Sequence, residues 1–256
     1  MTSSETRTRP LSRAALARLA VASEAAEASD GYRALAADGR PGDREEPHGR
    51  DDRDDRDDRD DREPGELAGA AWRLFEQARG VLRAAVIAER LAGASWETIG
   101  ANLGEISKQA AHERYGAAET VFRRAALMAW LIPERAGHQL GDLADPGTVR
   151  ARLTAWLQAP SRTGSVAAIE DLPPGLPAMT DTERAGLLIE TATLLKGTGG
   201  YRNAGVTDAE RHEVELGLAR RRVELYEEIA ERRPDDPEHA ALLAGARARL
   251  TALEGG

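Results

Sequence analysis

A short run of polar side chains between Ser107 and Arg114 has residue types that recognise nucleic acid. Lys108 and Gln109 lie at the predicted start of a helix, and His112 follows one turn later. A glutamine amide binds adenine through two hydrogen bonds, and a lysine ammonium reaches guanine or phosphate. The positive end of the helix dipole favours phosphate at the same place. These residues therefore suggest hydrogen bonding to base edges and to phosphate.

Catalytic chemistry has no comparable support in the sequence. The chain contains no cysteine, which excludes disulfides, thiolate catalysis and cysteine-ligated zinc. Its five histidines are not spaced as metal ligands, and the patterns GxSxG, GxGxxG and GxxxxGK[ST] are absent. The paired carboxylates Asp235 and Asp236 are flanked by prolines, where we expect them to cap a helix rather than transfer protons. We therefore expect no enzymatic activity, no catalytic residue, no cofactor and no metal site.

Two helices around a glycine turn must position the polar run. Ser95 is a residue type that caps helices, and it predicts a short helix over residues 96–103. Gly100 supplies the small residue that a close helix crossing requires, and Gly104 supplies the positive φ of the turn. The apolar anchors of this first helix are Trp96, Ile99 and Leu103.

The second helix is predicted to begin after a Ser107 cap at Lys108 and to end near Leu131, before Pro133. At 100° per residue, one side of this helix is apolar. The apolar side carries Ala111, Tyr115, Ala118 and Phe122. The opposite side carries Gln109, His112, Glu113 and Gly116, of which the glycine could allow a bend. A polar front with an apolar back is what a helix in the major groove requires.

The stretch from Ala94 to Tyr115, ASWETIGANLGEISKQAAHERY, resembles a helix-turn-helix type found in bacterial DNA-binding proteins. Those proteins are similar to transcriptional regulators and to the promoter-reading region of sigma factors. The resemblance covers residues 72–124, about a fifth of the chain. It implies DNA binding, with Lys108, Gln109 and His112 at recognition-helix positions. The turn is one residue longer than the commoner form of the motif.

We accordingly expect double-stranded DNA as the partner and transcriptional regulation as the function. Four arginines near the motif would contact phosphate, whereas three glutamates near the same face would weaken binding. The predicted DNA-binding residues are Ser107, Lys108, Gln109, His112, Glu113, Arg114, Arg90, Arg123 and Arg124. The opposing glutamates are Glu105, Glu113 and Glu119.

The charge of the chain is unevenly distributed. The formal net charge is −9, but residues 38–66 carry −7 and residues 67–124 carry +2. The acidic segment contains a three-residue Arg-Asp-Asp repeat and almost no apolar residue, so we expect disorder. It is interpreted as a solvated spacer, or alternatively as a tether that shields the recognition helix by resembling DNA in charge.

Composition favours an all-α fold with thin cores. Hydrophobic residues make up 41% of the chain, but 48 of them are alanine and aromatic residues make up only 4%. The longest apolar run has eight residues, whereas a membrane helix needs about 20. No apolar leader follows the N-terminal arginines. We therefore expect no membrane segment and a cytoplasmic, nucleoid-associated location.

Composition and periodicity divide the chain into five segments. They are an N-terminal helix (1–37), a disordered acidic linker (38–66), the helix-turn-helix domain (67–132), a short helix with a proline-rich linker (133–180), and a C-terminal helical hairpin (181–256). Within them, further helices are predicted over 11–37, 67–93, 146–158, 181–196 and 208–232. The apolar residues of the 67–93 helix available for burial are Leu67, Ala71, Leu74, Phe75, Leu82, Val86 and Leu91.

Two questions stay open at the level of sequence. The C-terminal helices have the three-and-four spacing of a coiled-coil seam, which suits either an intramolecular pair or a homodimer. The helix-turn-helix segment could also be a plain three-helix unit. In that alternative the protein is a non-enzymatic helical adaptor that binds other proteins.

Overall fold

A computed structural model describes residues 9–38, 65–159, 177–196 and 208–255 of the chain. Within these ranges the regular structure is helical apart from one isolated β-bridge, which confirms the all-α prediction. The α-helices are α1 (Arg13–Asp38), α2 (Glu66–Leu91), α3 (Trp96–Asn102), α4 (Lys108–Leu131), α5 (Ala136–Leu140), α6 (Pro146–Gln158), α7 (Asp181–Lys196), α8 (Asp208–Arg232) and α9 (Pro237–Glu254). None of the described helices is long and apolar enough to cross a membrane.

The longer helices begin and end within two residues of their predicted positions because capping residues act locally. The side chain of Asp145 accepts hydrogen bonds from the backbone N–H groups of Gly147 and Thr148 at the start of α6. Asp236 caps α9 in the same way, as its proline-flanked position predicts. A hydrogen bond from His239 lowers the pKa of Asp236 below its ordinary value. The short helix α5 was not predicted.

Helix α1 packs on α2 and α6, which supplies the partner that its sequence leaves undefined. Ala17 shares a core with Ile87 of α2, and Leu19 shares another with Val149 of α6. Gly31 of α1 lies where a Cβ would overlap a leucine side chain of α2. The glycine therefore permits a close approach of two helices.

Helix α2 buries only part of its apolar surface. Leu74 and Val86 are buried as predicted, but Leu67, Phe75 and Leu82 are exposed, and so is Ala71. The prediction that all these side chains are available for burial is wrong for these four exposed residues. The cause is geometric, since α1 covers one side of α2 and the α3–α4 pair covers another, which leaves a third side open.

Helix α4 belongs to two cores. Ala111 and Tyr115 on its first turns pack in a cluster with Trp96 of α3. Leu127 and Leu131 on its last turns belong to a second cluster formed with α7 and α8. Its 24 residues span about 36 Å at 1.5 Å per residue. The predicted domain boundary at residue 132 therefore lies directly after residues of α4 that pack against the C-terminal helices α7 and α8. The other buried members of the second cluster are Trp130, Ile132, Met179, Leu187, Leu188, Val214, Leu218 and Leu225.

The C-terminal helices α8 and α9 pack against each other as an antiparallel hairpin. Pro234 lies in the turn and Pro237 begins α9, as their positions in the sequence indicate. The coiled-coil spacing of apolar residues in these helices is thus accounted for by an intramolecular helix pair. A homodimer through these helices stays a prediction.

The chain on the N-terminal side of α1 is tied to the chain that enters α7. The Ser12 N–H donates to the Pro177 carbonyl at 3.1 Å, and the Met179 N–H donates to the Pro10 carbonyl at 2.8 Å. Residues 177–180, predicted to be linker, therefore pair with residues 10–12. The remaining predicted linker residues 160–176 and residues 39–64 of the acidic repeat segment lie outside the described residues.

An ion cluster lies beside this pairing. Arg184 of α7 has a side chain only 3% exposed, and its Nη1 lies 2.8 Å from Glu228 Oε2 of α8. Arg9 also contacts Glu228, at 3.0 Å. A hydrogen bond from Arg232 lowers the pKa of Asp181, which is also close to Arg9 and Arg184. The cluster therefore connects the N-terminal segment with α7 and α8.

We expect Glu228→Gln to destabilise the fold by about 3 kcal/mol, because it leaves the buried Arg184 guanidinium without its nearest carboxylate. Urea unfolding at neutral pH would measure the change. Glu231→Gln, an exposed carboxylate on the same helix, is the matched control and should change stability by less than about 0.5 kcal/mol. Equal stability of the two variants would contradict a structural contribution of the cluster.

Candidate nucleic-acid interface

The junction between α2 and α3 is a compact glycine-dependent cap. Gly93 has φ +102°, and its N–H donates to the Arg90 carbonyl at 3.1 Å. The Ala94 N–H donates to the Glu89 carbonyl at 2.9 Å, which completes a Schellman motif. Ser95 then caps α3 by accepting from the Thr98 N–H at 3.0 Å. Two helices thus meet with only four residues between them.

Apolar side chains fix α3 between α2 and α4. Trp96 and Ile99 of α3 are buried with Val86 of α2 and with Ala111 and Tyr115 of α4. The predicted anchor positions therefore lie in one cluster. Leu103 and Ile106 pack at its edge.

The crossing of α3 with the start of α4 depends on Gly100. A Cβ at this position would overlap the backbone carbonyl oxygen of Ile106. Backbone cannot move aside as a flexible side chain can, so any larger residue forces the helices apart. The close approach predicted at Gly100 is confirmed. The contact is with Ile106, in the turn just before α4.

The turn between α3 and α4 contains two successive residues in the left-handed region. Gly104 has φ +84° and Glu105 has φ +61°. The glycine adopts this conformation without strain, whereas a residue with a Cβ does so at a cost of about 1 kcal/mol. The sequence predicts a positive φ only at Gly104. Glu105, the next residue of the long turn, also adopts a left-handed conformation. This conformation brings Ser107 to the position from which it caps α4.

The first turns of α4 direct polar side chains away from the core. The Ser107 hydroxyl caps the helix by accepting from the Ala110 N–H at 3.1 Å. Lys108, Gln109 and Glu113 are exposed. Like Arg114, which is also exposed, they make no hydrogen bond or ion pair through their side chains within the described part of the chain.

His112 differs from the other polar residues of this face. Its ring meets Trp96 edge-on, with 5.4 Å between the ring centroids. The same ring lies over Gly116, where an added Cβ would be 3.0 Å from Nε2. Gly116 is therefore buried, although periodicity places it on the polar side. His112 keeps an exposed edge, but its orientation is set by the tryptophan.

Two of the arginines predicted to contact phosphate are engaged inside the protein. Arg90 Nε lies 3.4 Å from Glu119 Oε2, its guanidinium lies 4.7 Å from the Trp96 ring centroid, and it donates to the Ala94 carbonyl. Arg123 Nη2 lies 2.7 Å from Glu119 Oε1. These arginines neutralise a buried glutamate. Contact of these arginines with phosphate stays a prediction, and it would require them to leave Glu119.

The remaining predicted contact, Arg124, is exposed and has no ion-pair partner among the described residues. Glu119, which the sequence places among the residues that weaken DNA binding, is buried and paired on both sides. The available charge on this face is therefore that of Lys108, Arg114 and Arg124 against Glu105 and Glu113.

A second feature lies on α2 and was not recognised in the sequence. Trp72 and Phe75 are 61% and 51% exposed, with their ring centroids 5.4 Å apart and the Arg79 guanidinium 5.7 Å from the Phe75 centroid. The stripe continues through Leu82 to a groove of about 400 Å³ between α2 and α3. Helical spacing indicates an apolar stripe here, but it does not tell whether the stripe is covered.

No group of three or more metal-ligating side chains occurs in the described ranges. Comparison with known proteins found no matching family model, no matching curated protein and no matching solved structure. The helix-turn-helix resemblance therefore depends on the residues and their geometry alone.

Replacing Gly100 with alanine should destabilise the protein by at least about 1 kcal/mol, despite the higher helix propensity of alanine, because the new Cβ meets the backbone of Ile106. Gly186→Ala on α7 is the control, since nothing lies within 4 Å of the added Cβ there. It should stabilise by about 0.5–1 kcal/mol. Thermal unfolding of both variants tests the crossing, and stabilisation by Gly100→Ala would disprove it.

Proposed function

We propose that the protein binds double-stranded DNA through the first turns of α4 and acts as a transcriptional regulator. The observation that supports this proposal is the division of α4 into a buried apolar back and an exposed polar front. Ala111 and Tyr115 hold the back against α3, while Lys108 and Gln109 project from the front beside the helix N-terminus. A helix presented in this way fits the major groove.

Each exposed side chain has a distinct part in the proposed complex. Gln109 offers a two-bond contact to adenine, and Lys108 offers a donor to guanine or phosphate. His112 offers a ring nitrogen whose direction is fixed by Trp96. Glu113 offers an acceptor to the cytosine amino group and disfavours phosphate at the same place.

The phosphate contacts should be few. Arg114 and Arg124 are exposed and have no ion-pair partner within the described residues, whereas Arg90 and Arg123 are paired with Glu119. Three cations, counting Lys108, release about three counterions, so log K should fall against log salt with a slope of about −3. This small number implies weak binding per protomer.

The test is a fluorescence-anisotropy titration of the full chain with duplexes selected from genomic fragments. Lys108→Ala combined with Gln109→Ala should weaken binding at least about tenfold at low salt, because it removes two of the proposed recognition side chains. Arg233→Ala combined with Gln158→Ala removes the same charge at exposed positions away from α4, and should bind like wild type.

Two results would overturn the proposal. Absence of binding by the wild-type chain at about 50 mM salt would exclude a DNA-binding function. Equal loss of affinity in both double variants would remove the recognition role of the first turns of α4.

A helical adaptor is the second candidate, and the exposed stripe on α2 favours it. Trp72 and Phe75 are aromatic anchors of the kind that dominate protein interfaces. The occupant that fits is an amphipathic helix of another protein, with apolar residues against the stripe. The exposed Arg73 and Arg83 beside the stripe favour acidic residues on that helix, whereas Arg79 is already paired with Glu76 at 2.8 Å.

Salt dependence separates the two candidates. A protein partner isolated on the full chain and then purified should remain bound at about 0.5 M salt, because apolar contacts are little screened. Trp72→Ser combined with Phe75→Ser should abolish that complex while leaving DNA affinity unchanged. A complex that survives the double substitution would contradict the adaptor interface on α2.

A further inference from the structure

A cleft among α7, α8 and α9 has one apolar side and one cationic side. It encloses about 290 Å³, and its apolar side is formed by Leu195, Leu218 and Leu253. Leu218 is also part of the core that α8 shares with the last turns of α4. The apolar side is thus a continuation of packed protein interior.

The polar side of the cleft is strongly cationic. Lys196, Arg211, Arg222 and Arg249 line it, and the only acidic residue in the described lining is Glu215. The formal charge of this lining is therefore +3, whereas residues 174–256 as a whole carry −4. Positive charge is therefore concentrated at the cleft, although the segment that contains it has a negative net charge.

Most of this charge is not neutralised by residues that the structure describes. Glu215 is shared, because its carboxylate lies 3.2 Å from Arg211 Nε and 3.8 Å from Arg249 Nη2. Arg222 is half-buried and makes no ion pair or side-chain hydrogen bond within the described ranges. Lys196 likewise has no partner there, although it is exposed.

A half-buried guanidinium without a partner is an unfavourable arrangement that an anion would relieve. The neighbouring leucines would cover an apolar tail joined to that anion. The volume lies at the low end of small-molecule sites, which suits a compact ligand rather than a dinucleotide. The lining therefore suits a compact ligand with a negative head group and an aliphatic tail.

We propose that this cleft binds a small amphipathic carboxylate of the medium-chain fatty-acid class. The carboxylate pairs with Arg222 and Lys196, and the alkyl chain lies against Leu195, Leu218 and Leu253. Glu215 remains with Arg211 and Arg249. The cleft is lined by α7, α8 and α9 and shares no residue with the proposed DNA-binding face on the first turns of α4.

Decanoate is the probe, and thermal unfolding of the full chain with calorimetric titration is the measurement. A ligand that binds the folded chain raises Tm with concentration and saturates. Decanol has the same tail without the charge, and acetate has the charge without the tail. Both should raise Tm much less than decanoate does.

Variants locate the site. Arg222→Gln should weaken decanoate binding at least about tenfold, because it removes a charge-assisted hydrogen bond. Leu253→Asn should weaken it through the tail. Arg220→Gln is the matched control, since this exposed arginine on the same helix pairs with Glu254 and does not line the cleft.

Several outcomes would overturn the proposal. They are no saturable binding of decanoate at millimolar concentration, equal binding by Arg222→Gln and Arg220→Gln, or equal binding of decanol. Binding to vesicles of anionic phospholipid that depends on Arg222, without binding of free decanoate, would assign the cleft to a lipid surface instead and would also overturn it.

Discussion

The burial of α4 at both of its ends is the constraint on which the other elements depend. Ala111 and Tyr115 are held by α3, and Leu127 and Leu131 are held by α7 and α8. Since a helix of this length transmits position rigidly, the C-terminal helices help to set where the exposed first turns of α4 point. Gly217 permits the second contact, because a Cβ there would overlap the backbone of Leu131.

Local signals explain why helix positions could be predicted from the sequence. Ser95, Ser107 and Asp236 act on backbone N–H groups two or three residues away, so their effect does not require knowledge of the fold. The crossing at Gly100 was also predictable, because only a small residue fits where a short helix meets the next one. The anchors of the α3–α4 pair follow from the same periodicity.

Properties that depend on distant parts of the chain could not be predicted in this way. Helical periodicity identifies the apolar stripe that contains Phe75. The stripe stays exposed because the other helices pack on different sides of α2, which the sequence does not reveal. Arg90 has the charge of a phosphate contact, and only its distance to Glu119 reveals an internal partner. The same holds for the cationic cleft, whose lining comes from three helices that are separated in sequence.

The end of α4 has a consequence for dissecting the protein into fragments. Arg221 of α8 donates to the Trp130 carbonyl at 2.6 Å, and its guanidinium lies 5.6 Å from the Trp130 ring centroid. A fragment that stops soon after α4 would leave this carbonyl unpaired and expose Leu127, Trp130 and Leu131 to solvent. Such a piece would not report on the packing that α4 has in the intact chain. A fragment meant to preserve the packing of α4 therefore needs α7 and α8 as well as α2 and α3.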